Sequence, residues 1–154
     1  VTEFEDKQAK PLINISARNV LPARIRAIHD DGTMSGIELE LRGEERLIAT
    51  VACTSVAELG LRPTNEVLAI VKAPWFALVA GGNAVKLALP NQLIGTITHI
   101  VSGTVNAEVW LRTLGGNELV AVLPHGTLAE CGLAIGSTAT AVVSPAEIVI
   151  GLAR

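Results

Sequence analysis

The sequence predicts an all-β protein made of two tandem small OB-fold-like five-stranded barrels, each with one short helix. Three observations point there. A shift of 72 residues lays 16–79 over 88–151 without a gap, and 14 of those 64 pairs are identical. Each copy contains five short apolar runs separated by turn clusters, too many and too short for anything but a sandwich or small barrel. The composition is 49% hydrophobic but only 3% aromatic, with 14 Gly and 7 Pro, which describes tight turns around a core of Val, Leu, Ile and Ala.

The elements follow in order. Residues 20–28 and their counterparts 93–100 are strand-like, although the alternation is imperfect. Asp30-Asp31-Gly32 and Ser102-Gly103-Thr104 turn the chain. Ile37-Glu38-Leu39-Glu40-Leu41 has clean period two, as a half-buried strand requires. Gly43 and Gly115-Gly116-Asn117 lead into strands at 47–51 and 119–123. The last pairs of strands are expected at 66–72 with 75–79, and at 138–143 with 147–150. Between them, Ser55-Val56-Ala57-Glu58 and Thr127-Leu128-Ala129-Glu130 match the capping box, a hydroxyl at the N-cap and Glu three residues on. Gly60 and Gly132 are placed to end helices of a turn or two. The domain boundaries read as a linker at 1–13 from an N-terminal domain, a first barrel at 14–80 and a second at 88–154.

Composition also excludes functions. A net charge of −3 and a pI near 5.6 disfavour wrapping on a phosphate backbone, and four aromatics are too few for base-stacking platforms. No run of about 18 uncharged apolar residues is present to span a bilayer. Val1–Lys10 is polar and charged, unlike a secretory signal. Two cysteines, Cys53 and Cys131, make no disulfide framework, so a reduced, cytoplasmic setting is expected. The start at Val1 reads as a piece of something longer. His29, His99 and His125 lack ligand spacing for a metal, and no nucleophile motif is present, so no enzyme is expected. Cys53 reads as a structural thiol and Asp30-Asp31 as a turn.

Repeats share what the fold needs, so differences between them point to function. Ser16-Ala17-Arg18-Asn19 faces Ala88-Leu89-Pro90-Asn91, and Lys72 faces Ser144. Two cations and a hydroxyl therefore belong to the first copy alone, while Asn19 and Asn91 persist in both as structural residues of a turn. Arg18 offers a planar fork of donors, Lys72 a point charge, and Ser16 and Ser55 hydroxyls near a helix start. That set suits a tetrahedral dianion such as molybdate, tungstate, sulfate or phosphate. Glu58 opposes it. The alternative is an Arg and a Lys on strand ends, each solvated and paired with a nearby carboxylate. Trp75 reads as packing at a subunit contact and Trp110, which stands where the first copy has Glu38, as a contact surface.

Ile15-Ser16-Ala17-Arg18-Asn19, Ser55-Val56-Ala57-Glu58-Leu59-Gly60-Leu61 and Val71-Lys72-Ala73-Pro74-Trp75 together resemble the Mop domain, the molybdate-binding module. The tandem arrangement over 14–154 resembles the C-terminal part of molybdate-responsive transcriptional regulators of the ModE type, and Leu89-Pro90-Asn91-Gln92-Leu93-Ile94-Gly95-Thr96-Ile97-Thr98-His99-Ile100 is similar to their second copy. The resemblance implies a cytoplasmic homodimer that binds molybdate or tungstate at its interface, with no organic cofactor and no membrane association. It implies side-chain ligands at Ser16, Arg18, Ser55 and Lys72, with backbone donors at Ala52 and Ala73 and lesser ones at Cys53 and Thr54. Where the family usually has Thr, this chain has Ala52. It further implies contact with DNA only through an N-terminal domain absent from this sequence. Two other layouts share the module: a free-standing molbindin-type storage protein, and the oxyanion-binding tail of a molybdate transporter ATPase.

Overall fold

The computed structural model describes residues 15–82 and 86–152; the linker expected at 1–13 lies outside them. Among the described residues, ten strands form two antiparallel five-stranded sheets. The first half supplies β1 (Asn19–Asp30), β2 (Met34–Glu40), β3 (Arg46–Ala52), helix α1 (Cys53–Leu59), β4 (Glu66–Val71) and β5 (Ala77–Ala80). The second supplies β6 (Asn91–Ser102), β7 (Asn106–Thr113), β8 (Glu118–Pro124), helix α2 (Thr127–Glu130), β9 (Thr138–Val143) and β10 (Val149–Gly151). Every strand was expected near its observed place, β7 as the repeat's counterpart of residues 37–41.

The fifth strands change partners. One sheet runs β10-β4-β1-β2-β3 and the other β5-β9-β6-β7-β8, so each half completes its sheet with a strand from the other. Ala77 and Leu78 pair with Val142 and Ala141, while Val149 and Ile150 pair with Ile70 and Ala69. Each sheet curls until its first and last strands pack together, β10 against β3 and β5 against β8. The repeats are therefore two barrels by sequence and one interlocked body by structure.

The strand pattern follows the side chains. In β1, Asn19, Leu21, Ala23 and Ile25 point inward, and the alternation then breaks at a bulge between Ile25 and Ala27. The second copy repeats the bulge between Ile97 and His99. An extra residue bends and twists the strand there, which explains the imperfect alternation in the sequence. It lets β1 pair with β4 along its first half and with β2 along its second. Pro22 sits where only β4 pairs, so its missing N–H costs no ladder bond. Ile25, Ile37, Leu39, Leu47 and their equivalents Ile97, Val109, Leu111 and Leu119 are buried in one core shared by both halves. Burying each such side chain contributes about 1.5–3 kcal/mol.

Three expectations need correction. Trp75 and Glu147, expected in strands, close 3-10 turns at Ala73–Trp75 and Pro145–Glu147. Neither capping box forms: α1 begins at Cys53 with Ala52 at its N-cap, and α2 begins at Thr127 with Gly126 there. Ser55 is thus the third helical residue and Thr127 the first, and no side chain caps either helix. The backbone already supplies the first donor's partner in α1, since the Cys53 N–H bonds to the Thr33 carbonyl at 3.0 Å. Gly60 does end α1, in the left-handed conformation (φ 66), with its N–H on Ala57 and Val56 carbonyls.

Asn19 and Asn91 lie not in turns but at the first positions of β1 and β6, where each crosses to the opposite half. The Asn19 amide donates to the Val120 carbonyl at 2.8 Å and accepts from its N–H at 2.7 Å. Asn91 treats Ile48 the same way, at 2.9 and 2.7 Å. Val120 and Ile48 belong to β8 and β3, the last strands of the two sheets. A side-chain amide thus takes the place of a neighbouring strand on each edge, satisfying groups that an edge otherwise leaves open.

Candidate functional site

The β1–β4 ladder ends at Asn19 opposite Val71. In an antiparallel pair the next residues outward are Arg18 on one strand and Lys72 on the other, so the two cations unique to the first copy flank the same ladder end. Buried Ala17 fixes the approach, packing with Leu68 and Ile70 beneath Val20. Ser16 and Arg18, on either side of it in sequence, are exposed. In the second copy the ladder ends at Asn91 opposite Val143, and Pro90 and Ser144 occupy the corresponding places.

Each cation is seated on an indole. The Lys72 Nζ lies 5.2 Å from the centroid of Trp75, and the Arg18 guanidinium carbon 5.7 Å from that of Trp110. Lys72 precedes the Ala73–Trp75 turn, its carbonyl accepting from the Trp75 N–H at 2.9 Å, and this turn packs on β8 of the second half. Ala73 is buried and Trp75 half-buried. Arg18 crosses to β7, where its two terminal nitrogens meet the Glu108 carboxylate at 3.3 and 3.4 Å. This carboxylate partner was not singled out from the sequence. The signal was available: Glu108 and Trp110 stand opposite Gly36 and Glu38 in the repeat alignment, so they too are special to one copy.

Ser55 and Ala52 lie elsewhere. Ala52 ends β3 opposite Met34, at the start of β2. The adjoining Cys53 thiol donates to Asp30 Oδ1 at 3.0 Å and lies 3.3 Å from the Ser35 hydroxyl. The α1 start therefore sits at the Asp30 end of β1, whereas Arg18 and Lys72 sit at the Asn19 end. Eleven residue steps of strand separate those ends, roughly 36 Å of chain path at the usual rise. The structure brings Arg18, Lys72 and Ser16 to one region of the fold and leaves Ser55, with Ala52, Cys53 and Thr54, at the opposite end of the same strand.

The Asp30 end is a well-bonded turn. Asp30 accepts from the Gly32 N–H at 2.6 Å, and Asp31 from the N–H groups of Met34 and Thr33 at 2.8 and 3.0 Å. The Cys53 thiol and Gly32 N–H hold the Asp30 carboxyl below its ordinary range, and the Met34 and Thr33 N–H groups do the same for Asp31. Cys53 is half-buried and free. His29 is exposed and pairs with Glu38 at 2.5 Å, while the His99 ring lies 5.0 Å from that of Trp110. Among the described residues no group of His, Cys, Asp or Glu could hold a metal ion, and no helix is long and apolar enough to cross a membrane.

Known proteins share this fold. A 35% identical solved structure, described as the cytoplasmic molybdate-binding protein ModG with molybdate bound, superposes with a TM-score of 0.86 over 91% of this chain and 99% of that one. The molybdenum-pterin-binding protein MopA of Rhodobacter capsulatus is 30% identical over 137 residues, covering 89% of this chain and 52% of its own length. The DNA-binding transcriptional dual regulator ModE of Escherichia coli K12 is 34% identical over 113 residues, covering 73% and 43%. This chain thus spans about half the length of such relatives. The family model for the TOBE domain matches twice, at residues 15–78 and 88–150, and the chain belongs to that family as two TOBE domains in tandem.

Proposed function

We propose that this chain binds molybdate or tungstate between two copies of itself and serves as the sensing domain of a transcriptional regulator. The observation that carries the reading is the placing of Arg18 and Lys72 side by side beyond one ladder end, in the copy that alone has them. A planar fork and an ammonium with Ser16 beside them match a tetrahedral dianion. The position of Ser55 supports a site shared between subunits. A hydroxyl at the far end of β1 reaches Arg18 and Lys72 only if a second chain presents it.

On this reading the ligand stabilises one dimer arrangement over others by its differential affinity. In a longer protein that shift resets the spacing of attached DNA-binding domains, in the cytoplasm. The regulators and MopA among its relatives are about twice the length that this chain matches, which supports such a context. The second reading is storage or buffering by a free-standing protein, favoured by the near-complete coverage of ModG. The replacement of Ser16, Arg18 and Lys72 by Ala88, Pro90 and Ser144 in the second copy favours sensing, because storage profits from filling both copies.

Isothermal titration with molybdate, tungstate, sulfate and phosphate tests the proposal. Binding of the first two at about one per chain, with the others silent, is the expected result. Arg18→Ala and Lys72→Ala should each weaken it severely while Glu147→Ala leaves it intact. Equal binding by all three variants overturns the site, and a stoichiometry well above one per chain favours storage.

A further inference from the structure

Arg18 is not waiting in solvent. Its two terminal nitrogens face both oxygens of Glu108, and its guanidinium lies over Trp110, two residues further along β7. The contact is loose, at 3.3 and 3.4 Å, and both side chains remain accessible, at 45% and 38%. Accessible pairs of this kind are weakly held. The three groups also occur as a set. In the repeat, Pro90, Gly36 and Glu38 take the places of Arg18, Glu108 and Trp110, and Glu38 is engaged within its own sheet by His29 at 2.5 Å and Arg46 at 3.9 Å. Arg18, Glu108 and Trp110 are therefore present together in one half-interface, and all three are replaced in the other, by Pro90, Gly36 and Glu38.

We propose that Glu108 is an internal competitor for the oxyanion: it holds the Arg18 fork against Trp110 until the ligand takes the guanidinium from it. This rests on the oxyanion reading above and adds a residue that sets the affinity of that site. A carboxylate imitates two oxygens of a tetrahedral oxyanion, so it keeps Arg18 extended and correctly turned. It also imposes a threshold, because the bound dianion must replace the pair and tolerate the displaced negative charge nearby. Trp110 keeps the guanidinium plane in place during the exchange, since stacking on an indole does not consume its N–H donors.

The test is titration of wild type, Glu108→Gln and Glu108→Ala with sodium molybdate, with circular dichroism to confirm the fold of each. Both variants should bind roughly three- to fivefold more tightly than wild type, the range expected for releasing one accessible ion pair. Unchanged or weaker binding by correctly folded variants overturns the competitor role and makes Glu108 a support for Arg18. No binding by the wild type removes the oxyanion reading itself and this proposal with it, so the two failures are separable by the wild-type arm alone.

Discussion

The Asn19 side chain pairs with the backbone of Val120 as a strand would, donating at 2.8 Å and accepting at 2.7 Å. Both residues are buried, at 2% and 9% exposure. Truncation to Ala leaves the Val120 N–H and C=O without partners at an edge that water reaches poorly. Each orphaned group costs about 1–3 kcal/mol, so Asn19→Ala should destabilise the protein by roughly 2–5 kcal/mol. Asn19→Asp should be comparably harmful, because its carboxylate faces the Val120 carbonyl where an amide donor stood. Chemical denaturation of both, with Asn91→Ala as the symmetric control, measures it. A loss below about 0.5 kcal/mol would show that these edges are held by the exchanged strands alone.

The repeat also marks a strained position in the first copy. Thr64 has φ +74, a left-handed conformation that a β-branched residue adopts at a cost, and its counterpart in the second copy is Gly136, φ +92. The structure gives the same backbone bend to both, and only one copy has the residue suited to it. Thr64→Gly should raise stability by about 0.5–1 kcal/mol despite the extra freedom glycine gives the unfolded chain. The midpoint of urea unfolding, read against Gly136→Thr as the reverse change, decides the sign.

Much of this fold was legible because strands advertise themselves locally. Ile37 to Leu41 alternates cleanly since β2 has one face in the core, and the 72-residue period transferred each assignment to the other copy. Strand exchange was not legible. The segments that form β5 and β10 have the same neighbours in sequence whether they fold back on their own half or cross over, and only tertiary packing chooses. The capping boxes misled for a related reason: Ser55 and Glu58 fit the spacing, but the Thr33 carbonyl claims the Cys53 N–H and starts the helix three residues earlier. At the candidate site, comparing the repeats located Arg18 and Lys72. Their separation from Ser55 is a property of where β1 begins and ends, and no motif encodes it.

Acid should loosen the hairpin between β1 and β2. The carboxyls of Asp30 and Asp31 are held below the ordinary value of 3.8, Asp30 first by the Cys53 thiol and Asp31 first by the Met34 N–H. A carboxyl with a lowered folded-state pKa stabilises the fold above its unfolded value and loses that contribution as pH falls through the folded one. Stability should therefore be flat with respect to these groups above about pH 5 and decline below pH 4. Asp31→Asn keeps an acceptor for the turn but cannot titrate, so its melting temperature should fall less steeply between pH 4 and pH 2 than that of the wild type. Parallel slopes would assign the acid sensitivity to other carboxylates.

The separation of Ser55 from Arg18 gives the proposed shared site a test that single variants cannot provide. Arg18→Ala removes the fork that holds the anion and should weaken molybdate binding by 30-fold or more, on the order of 2 kcal/mol or above. Ser55→Ala removes one hydroxyl donor to a charged acceptor and should cost about 10-fold. Now combine the two in one assembly, with a different affinity tag on each variant chain so that mixed dimers can be purified. If each site takes Arg18 from one subunit and Ser55 from its neighbour, a mixed dimer contains one doubly damaged site and one with both residues intact. Titration should then recover one molybdate per dimer at wild-type affinity. If each site instead draws both residues from the same chain, every site in the mixed dimer is damaged and no wild-type affinity returns. That second outcome would require β1 to bend far more than the bulge at Ile25 and Ala27 allows, and it would remove the shared site.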